Sequence, residues 1–389
     1  MAPADLPAPG RIRSIDRLRG LVMVLMALDH TRDFFSASGM NVRDVHTPAL
    51  FLTRWITHFC APVFVFLAGV SAFLALARIG GRRGLGRYLL VRGMLLIALE
   101  FTVVRFGWTF SLRPDLLVGQ VIWAIGWGMV ILAALISLPP GLVGLLGAAV
   151  IAGHNLLDPI QAADLGSLGW VWTLLHEPAT LPLGPQLRFL ALYSILPWAG
   201  VMAAGYGFGS VFRLEEGRRH RILLITGAAL TLAFLLLRGF NGYGDPAAWT
   251  RQGGWLPIAL SFLNCEKYPP SLLYLLMTLG PALALMPLLE RIGGRPGAVL
   301  LSFGSVPLFF YLLHLPLIHG LAVLASIASG FSPEWLLGGL PFAAKPGGFG
   351  FSLPSVYFFW GCILLLLLPA CRWYAGVKRR RRDSWLRFL

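Results

Sequence analysis

The sequence predicts an all-α protein, a polytopic membrane helix bundle of about 10 transmembrane helices with both termini in the cytoplasm. Three observations predict it. The 389 residues are 57% hydrophobic and only 13% charged, with a mean hydropathy of +0.73, whereas soluble domains carry about 25% charged residues. Apolar stretches close to the ~20 residues that cross a hydrocarbon core recur along the chain. The basic residues sit between those stretches and favour alternate connections. The formal charge of +15 is therefore read as topology. No basic stripe interleaved with aromatics occurs, and no nucleic-acid partner is expected.

Ten spans are expected, near 19–36, 50–77, 88–106, 117–137, 141–157, 187–212, 222–238, 271–289, 299–325 and 353–374. The first is the least obvious, because only Gly20 to Leu28 is cleanly apolar. The arginines decide for it. With it, twenty-two of the 32 Lys and Arg residues fall on the side that holds both termini. Without it, Arg11, Arg13, Arg17 and Arg19 join Arg32, Arg43 and Arg54 on one side and the asymmetry weakens. The N-terminus has no A-x-A site after its first apolar run, so an uncleaved first helix is expected. The division that follows is a basic cytoplasmic segment 1–18, a single membrane domain 19–374 and a basic cytoplasmic tail 375–389, which suits contact with anionic lipid.

Cytoplasmic links are short and basic, as in RIGGRRGLGR and RLEEGRRHR. Outer links, about 154–186, 239–270 and 326–352, are longer and rich in Pro, Gly and Trp, which suits a lid or a substrate-facing surface. WLPIALSFL (255–263) is too short to span and reads as an interfacial helix. The steps Gly141, Gly144, Gly147 and Gly205, Gly207, Gly209 read as close helix packing rather than phosphate loops. The four cysteines show no metal-finger spacing, no H-E-x-x-H is present, and no metal is expected.

The chemistry gathers around LMALDHTRDFF (25–35), where an apolar helix ends in Asp29, His30, Arg32 and Asp33. On the expected topology His30, His46, His58, His154, His176, His314 and His319 all lie in the outer half, and only His220 is cytoplasmic. Arg54 lies one turn before His58 on the second span. Arg105 ends the third. Lys267 and Tyr268 lead into the eighth, and Tyr311 precedes His314 on the ninth. Ionisable groups within a membrane face the bundle interior or a wet cavity and pair there. Arg32, Arg54, His58, Arg105, Lys267, Tyr268, Tyr311 and His314 are therefore candidate substrate-binding residues. His30 suits a general base, since imidazole titrates near neutrality. A carboxylate would fix its tautomer, with Asp33 favoured over Asp29. The plainer alternatives are a helix-end charge network for Asp29, Arg32 and Asp33, and ordinary loop residues for His154 and His176. His314 and His319 are about 140° apart on a helix, so the two cannot face one site squarely.

RIRSIDRLRGLVMVLMALDH (11–30), NCEKYPPSLLYLLMTLGP (264–281) and PLFFYLLHLPLIH (307–319) resemble motifs of the heparan-alpha-glucosaminide N-acetyltransferase-like bacterial membrane proteins. That family belongs with the transmembrane acyltransferases and is related to acyltransferase-3. The resemblance implies transfer of an acyl group, most simply acetyl, from cytoplasmic acyl-CoA as co-substrate to an amine or hydroxyl of a sugar across the membrane. It implies a bacterial inner-membrane location with an extracytoplasmic active site, and membrane lipid and a glycan or glycolipid as partners. A homo-oligomer is left open as a further partner, since the sequence does not fix the oligomeric state. Arg19 and His30 have the spacing of the opening arginine and catalytic histidine in acyltransferase-3 proteins. In animal lysosomal members the position of His30 is Asn, and a later histidine precedes a start of the second span that HFCAPVFVFLAG (58–69) resembles. His46 is the nearest upstream candidate here, so both His30 and His46 stand as catalytic, with His30 either a general base or a transient acyl carrier. Arg11, Arg13 and Arg19 would receive the CoA phosphates at a cytoplasmic mouth, or simply obey the topology rule. The alternative function is a transporter of an anionic solute along a path lined by Arg and His. A purely structural subunit leaves the outward histidines without a reason.

Overall fold

In a computed structural model of the chain, residues 12–341 and 345–381 are described. About 73% of the structure is helical. Among the described residues, seven helical stretches are long and apolar enough to cross a membrane: Pro48–Ile79, Pro140–Leu157, Ile195–Arg213, Glu216–Phe240, Leu272–Arg291, Pro307–Ala328 and Leu353–Arg380. Each falls on an expected span. The other three expected spans are also helical but fall short for identifiable reasons. The first helix, α1 (Arg13–Phe35), carries charges at both ends. Helix α4 (Arg82–Leu99) is arginine-rich and runs through a π turn, Glu100–Val104, into α5 (Arg105–Thr109). Helix α6 (Val121–Leu135) has only 15 residues. The expected ninth span is divided into α13 (Gly294–Gly304) and α14 (Pro307–Ala328), because Pro307 lacks the N–H needed to continue a helix and suits the start of a new one.

The all-α expectation needs one correction. Three short strands, β1 (Leu116–Val118), β2 (Thr180–Pro182) and β3 (Arg188–Leu190), form a sheet in the order β1-β3-β2. β3 pairs parallel to β1 and antiparallel to β2. Each has three residues, too few for a period-two pattern to show in the sequence.

The chain divides into two compact units. The first comprises the described residues up to Cys60, Phe106–Arg113, and those from Leu285 onward. Its centre is α1, packed on α13 by small residues. A Cβ on Gly20 would collide with the Leu300 carbonyl, and one on Gly304 with the Asp16 carbonyl, so the two backbones meet directly. Arg17, buried, donates to the carbonyls of Leu289 (2.9 Å) and Glu290 (2.8 Å). These carbonyls end α12 (Leu272–Arg291) and have no partner within the helix, which a cation satisfies both by hydrogen bonding and through the helix dipole. The closing helix α15 (Leu353–Arg380) joins α1 through the Trp360 indole, which donates to the Val24 carbonyl at 2.9 Å. At the other end of α1 the backbone of Ser36–Ser38 is stitched to 349–351. Ser38 N–H donates to Phe349 O (3.0 Å) and Phe351 N–H to Phe35 O (2.8 Å). Gly350 allows this closeness, since its φ of 123° and its position against Ala37 exclude any Cβ.

The second unit comprises Ala61–Arg105 and Pro114–Ala284. Here α7 (Pro140–Gly153) packs on α9 (Ile195–Phe208) with Gly144 against Gly207 and Gly147 against Gly200. Gly205 abuts the backbone of Phe66, and Gly209 the ring of Phe73, both on α3 (Cys60–Ile79). The glycine steps are thus packing devices, except Gly141, which faces open space. Glu100 caps α6 from another helix. It accepts from the Trp123 N–H at 2.9 Å, while α6 has no cap of its own, and a carboxylate suits the positive end of a helix. WLPIALSFL forms the nine-residue helix α11 (Trp255–Leu263). Helix α10 (Glu216–Phe240) exposes Leu224, Ile225, Leu232, Leu235 and Leu236, the surface expected of a helix solvated by lipid.

Candidate active site

His30 lies in the penultimate turn of α1, and α14 presents His314 to it. His30 Nδ1 and His314 Nε2 are 2.7 Å apart, and the two rings stack at a 4.9 Å centroid distance. The other nitrogen of His314, Nδ1, faces the carbonyls of Tyr311 (2.6 Å) and Phe310 (3.1 Å). Carbonyls only accept, so His314 Nδ1 carries a proton. Its Nε2 is then the bare acceptor of the neutral ring, and His30 Nδ1–H must donate to it. It follows that the unprotonated nitrogen of neutral His30 is Nε2. Backbone geometry four and three residues before His314 therefore sets the tautomer of a ring on another helix. Trp108, on α5, stands edge-on to His30 at 4.9 Å and stacks on Phe34 at 5.5 Å, fixing the ring plane from a second side. Tyr311 is buried beside His314.

His314 thus occupies the Nδ1 side of His30, the position for which the sequence favoured Asp33. The Asp33 carboxylate is instead engaged by Arg32, at 2.8 Å. Arg32 is buried and also pairs with Asp29 at 2.8 Å. The Thr57 hydroxyl lies 2.8 Å from Asp29 and 2.7 Å from the Arg54 carbonyl, tying this network to α2 (Pro48–Thr57). Lys345 completes it, donating to the backbone carbonyls of Asp33 (3.0 Å) and Ser36 (2.7 Å). Arg32 and Lys345 thus both stand beside the carboxylate-bearing end of α1. Burial pushes the Lys345 ammonium down to about 8, with Arg32 adding to the effect and Asp33 opposing it. Lys345 was not among the sequence candidates. The available signal was its type: in a chain with only three lysines among its basic residues, a loop lysine is a group that can titrate.

The other candidates are distributed as follows. Arg54 and His58 are buried at the end of α2. His46 is exposed in the loop between α1 and α2, its backbone N–H bonded to Asp44. Arg13 and Arg19 lie in the first turns of α1, and Arg19 faces Asp16 at 3.6 Å. Arg11 lies outside the described residues. His319 is turned from His314 as the helical angle requires. It stacks on Phe110 at 3.8 Å, with Nδ1 3.0 Å from the Gly107 carbonyl. Arg105, Lys267 and Tyr268 belong to the second unit. Arg105 holds β1 through the Leu116 carbonyl (3.0 Å) and Asp115 (3.3 Å). Lys267 lies over the rings of Tyr268 and Tyr193, at 5.0 and 5.9 Å. The second unit also holds a node that the sequence did not disclose. Arg238, 1% exposed, donates to the carbonyls of Phe262, Ala247, Ser261 and Asn264 and lies 3.7 Å from Asp245. It organises the loop 239–270. None of the four cysteines is in a disulfide.

Taken together, the fold and this site describe a multi-pass membrane protein with a histidine pair set at the end of its first helix. The family model for the catalytic region of heparan-alpha-glucosaminide N-acetyltransferase matches residues 11–239, more than half of the chain, and the protein belongs to that family, an acetyltransferase family. The matched residues include His30, Arg32 and Trp108, while His314 and Lys345 lie beyond them. A comparison with curated proteins finds no match.

Proposed function

We propose that the protein moves an acetyl group from cytoplasmic acetyl-CoA to an amine or hydroxyl of an extracytoplasmic sugar, glycan or glycolipid, with His30 as general base. The observation that carries this reading is the 2.7 Å contact between His30 and His314, because it leaves Nε2 of His30 as the basic nitrogen. The acceptor X–H gives its proton to that nitrogen as X attacks the thioester carbonyl. The C–X bond forms, the C–S bond breaks, and the imidazolium returns the proton to the CoA thiolate. His314 acts through His30, holding its tautomer and sharing the positive charge that develops. The same Nε2 would carry the acetyl group if transfer proceeds in two steps. Label retained on the protein when acceptor is withheld distinguishes that route from direct transfer. Arg13 and Arg19 suit CoA phosphates at the opposite end of α1.

The test is transfer of labelled acetyl from acetyl-CoA to glucosamine and related amino sugars by membranes containing the protein. Activity present in the wild type and lost in His30→Ala supports the reading. Activity intact in both His30→Ala and His46→Ala overturns the assignment. CoA-independent uptake of an anionic solute into proteoliposomes, without acetyl transfer, would replace it with transport.

A further inference from the structure

A second cluster lies wholly within the other unit. His154 closes α7 and opens a 3₁₀ turn, His154–Leu157; Asp158 follows that turn; and His176 closes α8 (Gly169–Leu175). One ligand atom from each of the three lies within 4.8 Å of the others. His176 Nε2 is 2.9 Å from an Asp158 oxygen, and the two imidazoles meet edge-on at 5.6 Å.

The burial and bonding of these groups do not suit an ordinary hydrogen-bonded cluster. His154 is 2% exposed and His176 3%, yet neither ring nitrogen of His154, nor Nδ1 of His176, completes a hydrogen bond. The Pro270 backbone approaches the His154 ring without completing one. A buried imidazole normally satisfies at least its N–H, and an orphaned set of buried polar atoms marks a missing partner. Water would satisfy single atoms. A cation satisfies the lone pairs of both rings and the carboxylate together, and two histidines with one carboxylate is a donor set that Zn²⁺ takes, with a fourth position left for water. The surroundings are those of a held ligand set. The second oxygen of Asp158 accepts from the Asn155 amide at 2.9 Å. Asn155 in turn accepts from the Leu272 N–H at 2.9 Å, so the carboxylate is aimed from behind by a fixed residue. The Trp172 ring covers His176 at 5.1 Å. The Asp158 side chain is 24% exposed, which gives an ion an entry from solvent.

We propose that His154, Asp158 and His176 form a binding site for a divalent transition-metal cation of the Zn²⁺ class, which clasps the turn after α7 to the end of α8. The sequence did not disclose it because the ligands are four and then eighteen residues apart and two sit outside any regular helix. The site stands apart from acyl transfer and does not rest on it.

The experiment uses the full chain, purified in detergent and stripped with a chelator, then titrated with Zn²⁺ against a chromophoric competitor and assayed for metal content. One Zn²⁺ per chain is expected, and Co²⁺ in its place should show the strong visible absorption of a four-coordinate site. His154→Ala and His176→Ala should each weaken binding by roughly 100-fold or more, with His220→Ala unchanged. Should either variant fail to fold, the wild-type Co²⁺ spectrum and a Zn²⁺-dependent, chelator-reversible rise in unfolding temperature decide the matter. A wild type that binds no Zn²⁺, or histidine variants that keep full stoichiometry and spectrum, overturns the proposal.

Discussion

The two histidine clusters use the same side chain near the end of an apolar helix in opposite bonding environments, and opposite chemistry is proposed for them. In the first unit the inner nitrogen of His314 is fixed by two carbonyls, and every proton along the pair follows from that one constraint. In the second, the nitrogens of His154 are buried with no such constraint, beside a carboxylate. Under the two roles proposed above, the partner on the far nitrogen, rather than the histidine itself, would decide between moving a proton and holding a cation. The buried arginines repeat the contrast. Arg32 is answered by the two carboxylates of its own helix, whereas Arg238 is answered chiefly by backbone carbonyls of a loop.

The largest test of that contrast is chemical. His30→Ala should lower acetyl transfer by about 10²–10⁴-fold, the range of a lost general base, with the protein still folded as judged by its elution from a sizing column. Undiminished transfer would remove the functional half of the comparison. Next is Arg238→Ala, which strands the carbonyls of Ser261, Phe262 and Asn264 and leaves buried Asp245 without its cation. A loss of about 3–5 kcal/mol is expected, read from denaturant unfolding in detergent. A loss below ~1 kcal/mol would mean that the 239–270 loop is held by other contacts.

A smaller effect separates positioning from bulk packing. His314→Ala should reduce turnover by roughly 10–100-fold, the scale of a lost supporting partner, and should move the pH profile of transfer. His314→Gln, which keeps an acceptor for His30 Nδ1–H, should recover part of the rate. Equal loss in both variants would mark His314 as packing only. The smallest effect concerns Lys345. Its folded-state value of about 8 lies below the ordinary 10.5, so the fold disfavours the protonated form. Its contribution is complete above pH 10.5 and is lost as pH falls toward 8. Wild-type stability should therefore gain about 1–3 kcal/mol between pH 8 and 10.5 relative to Lys345→Met. Parallel stability curves for the two proteins would show that this lysine is effectively solvated.

Much of this was legible in the sequence, and the limits have physical causes. Apolar run length and arginine placement mark the helices, because lipid demands both. His30 stands out since charges at the end of an apolar run need a reason. Its partner does not, because His314 is 284 residues away and local spacing says nothing about which helices meet. Proximity in sequence points to Asp33, and the structure engages Asp33 with Arg32, its immediate neighbour. Counting seven strongly apolar spans rather than ten reflects the charges at the ends of α1, the arginines and Glu100 along the third expected span, and the 15-residue length of α6, whose backbone satisfies Glu100. The sheet was not legible at all, since three-residue strands inside loops carry no period.

The backbone seam between Ser36–Ser38 and 349–351 has a mechanical consequence. It welds the exit of the opening helix to the approach of the closing one, within a few residues of the histidine pair. Were the proposed acceptor to enter there, α1 could not swing outward alone, since either the seam unzips or both helices travel as one lever. Replacing Gly350 with any bulkier residue would pry that weld apart, and so offers a handle on admission in which no ionisable residue is substituted.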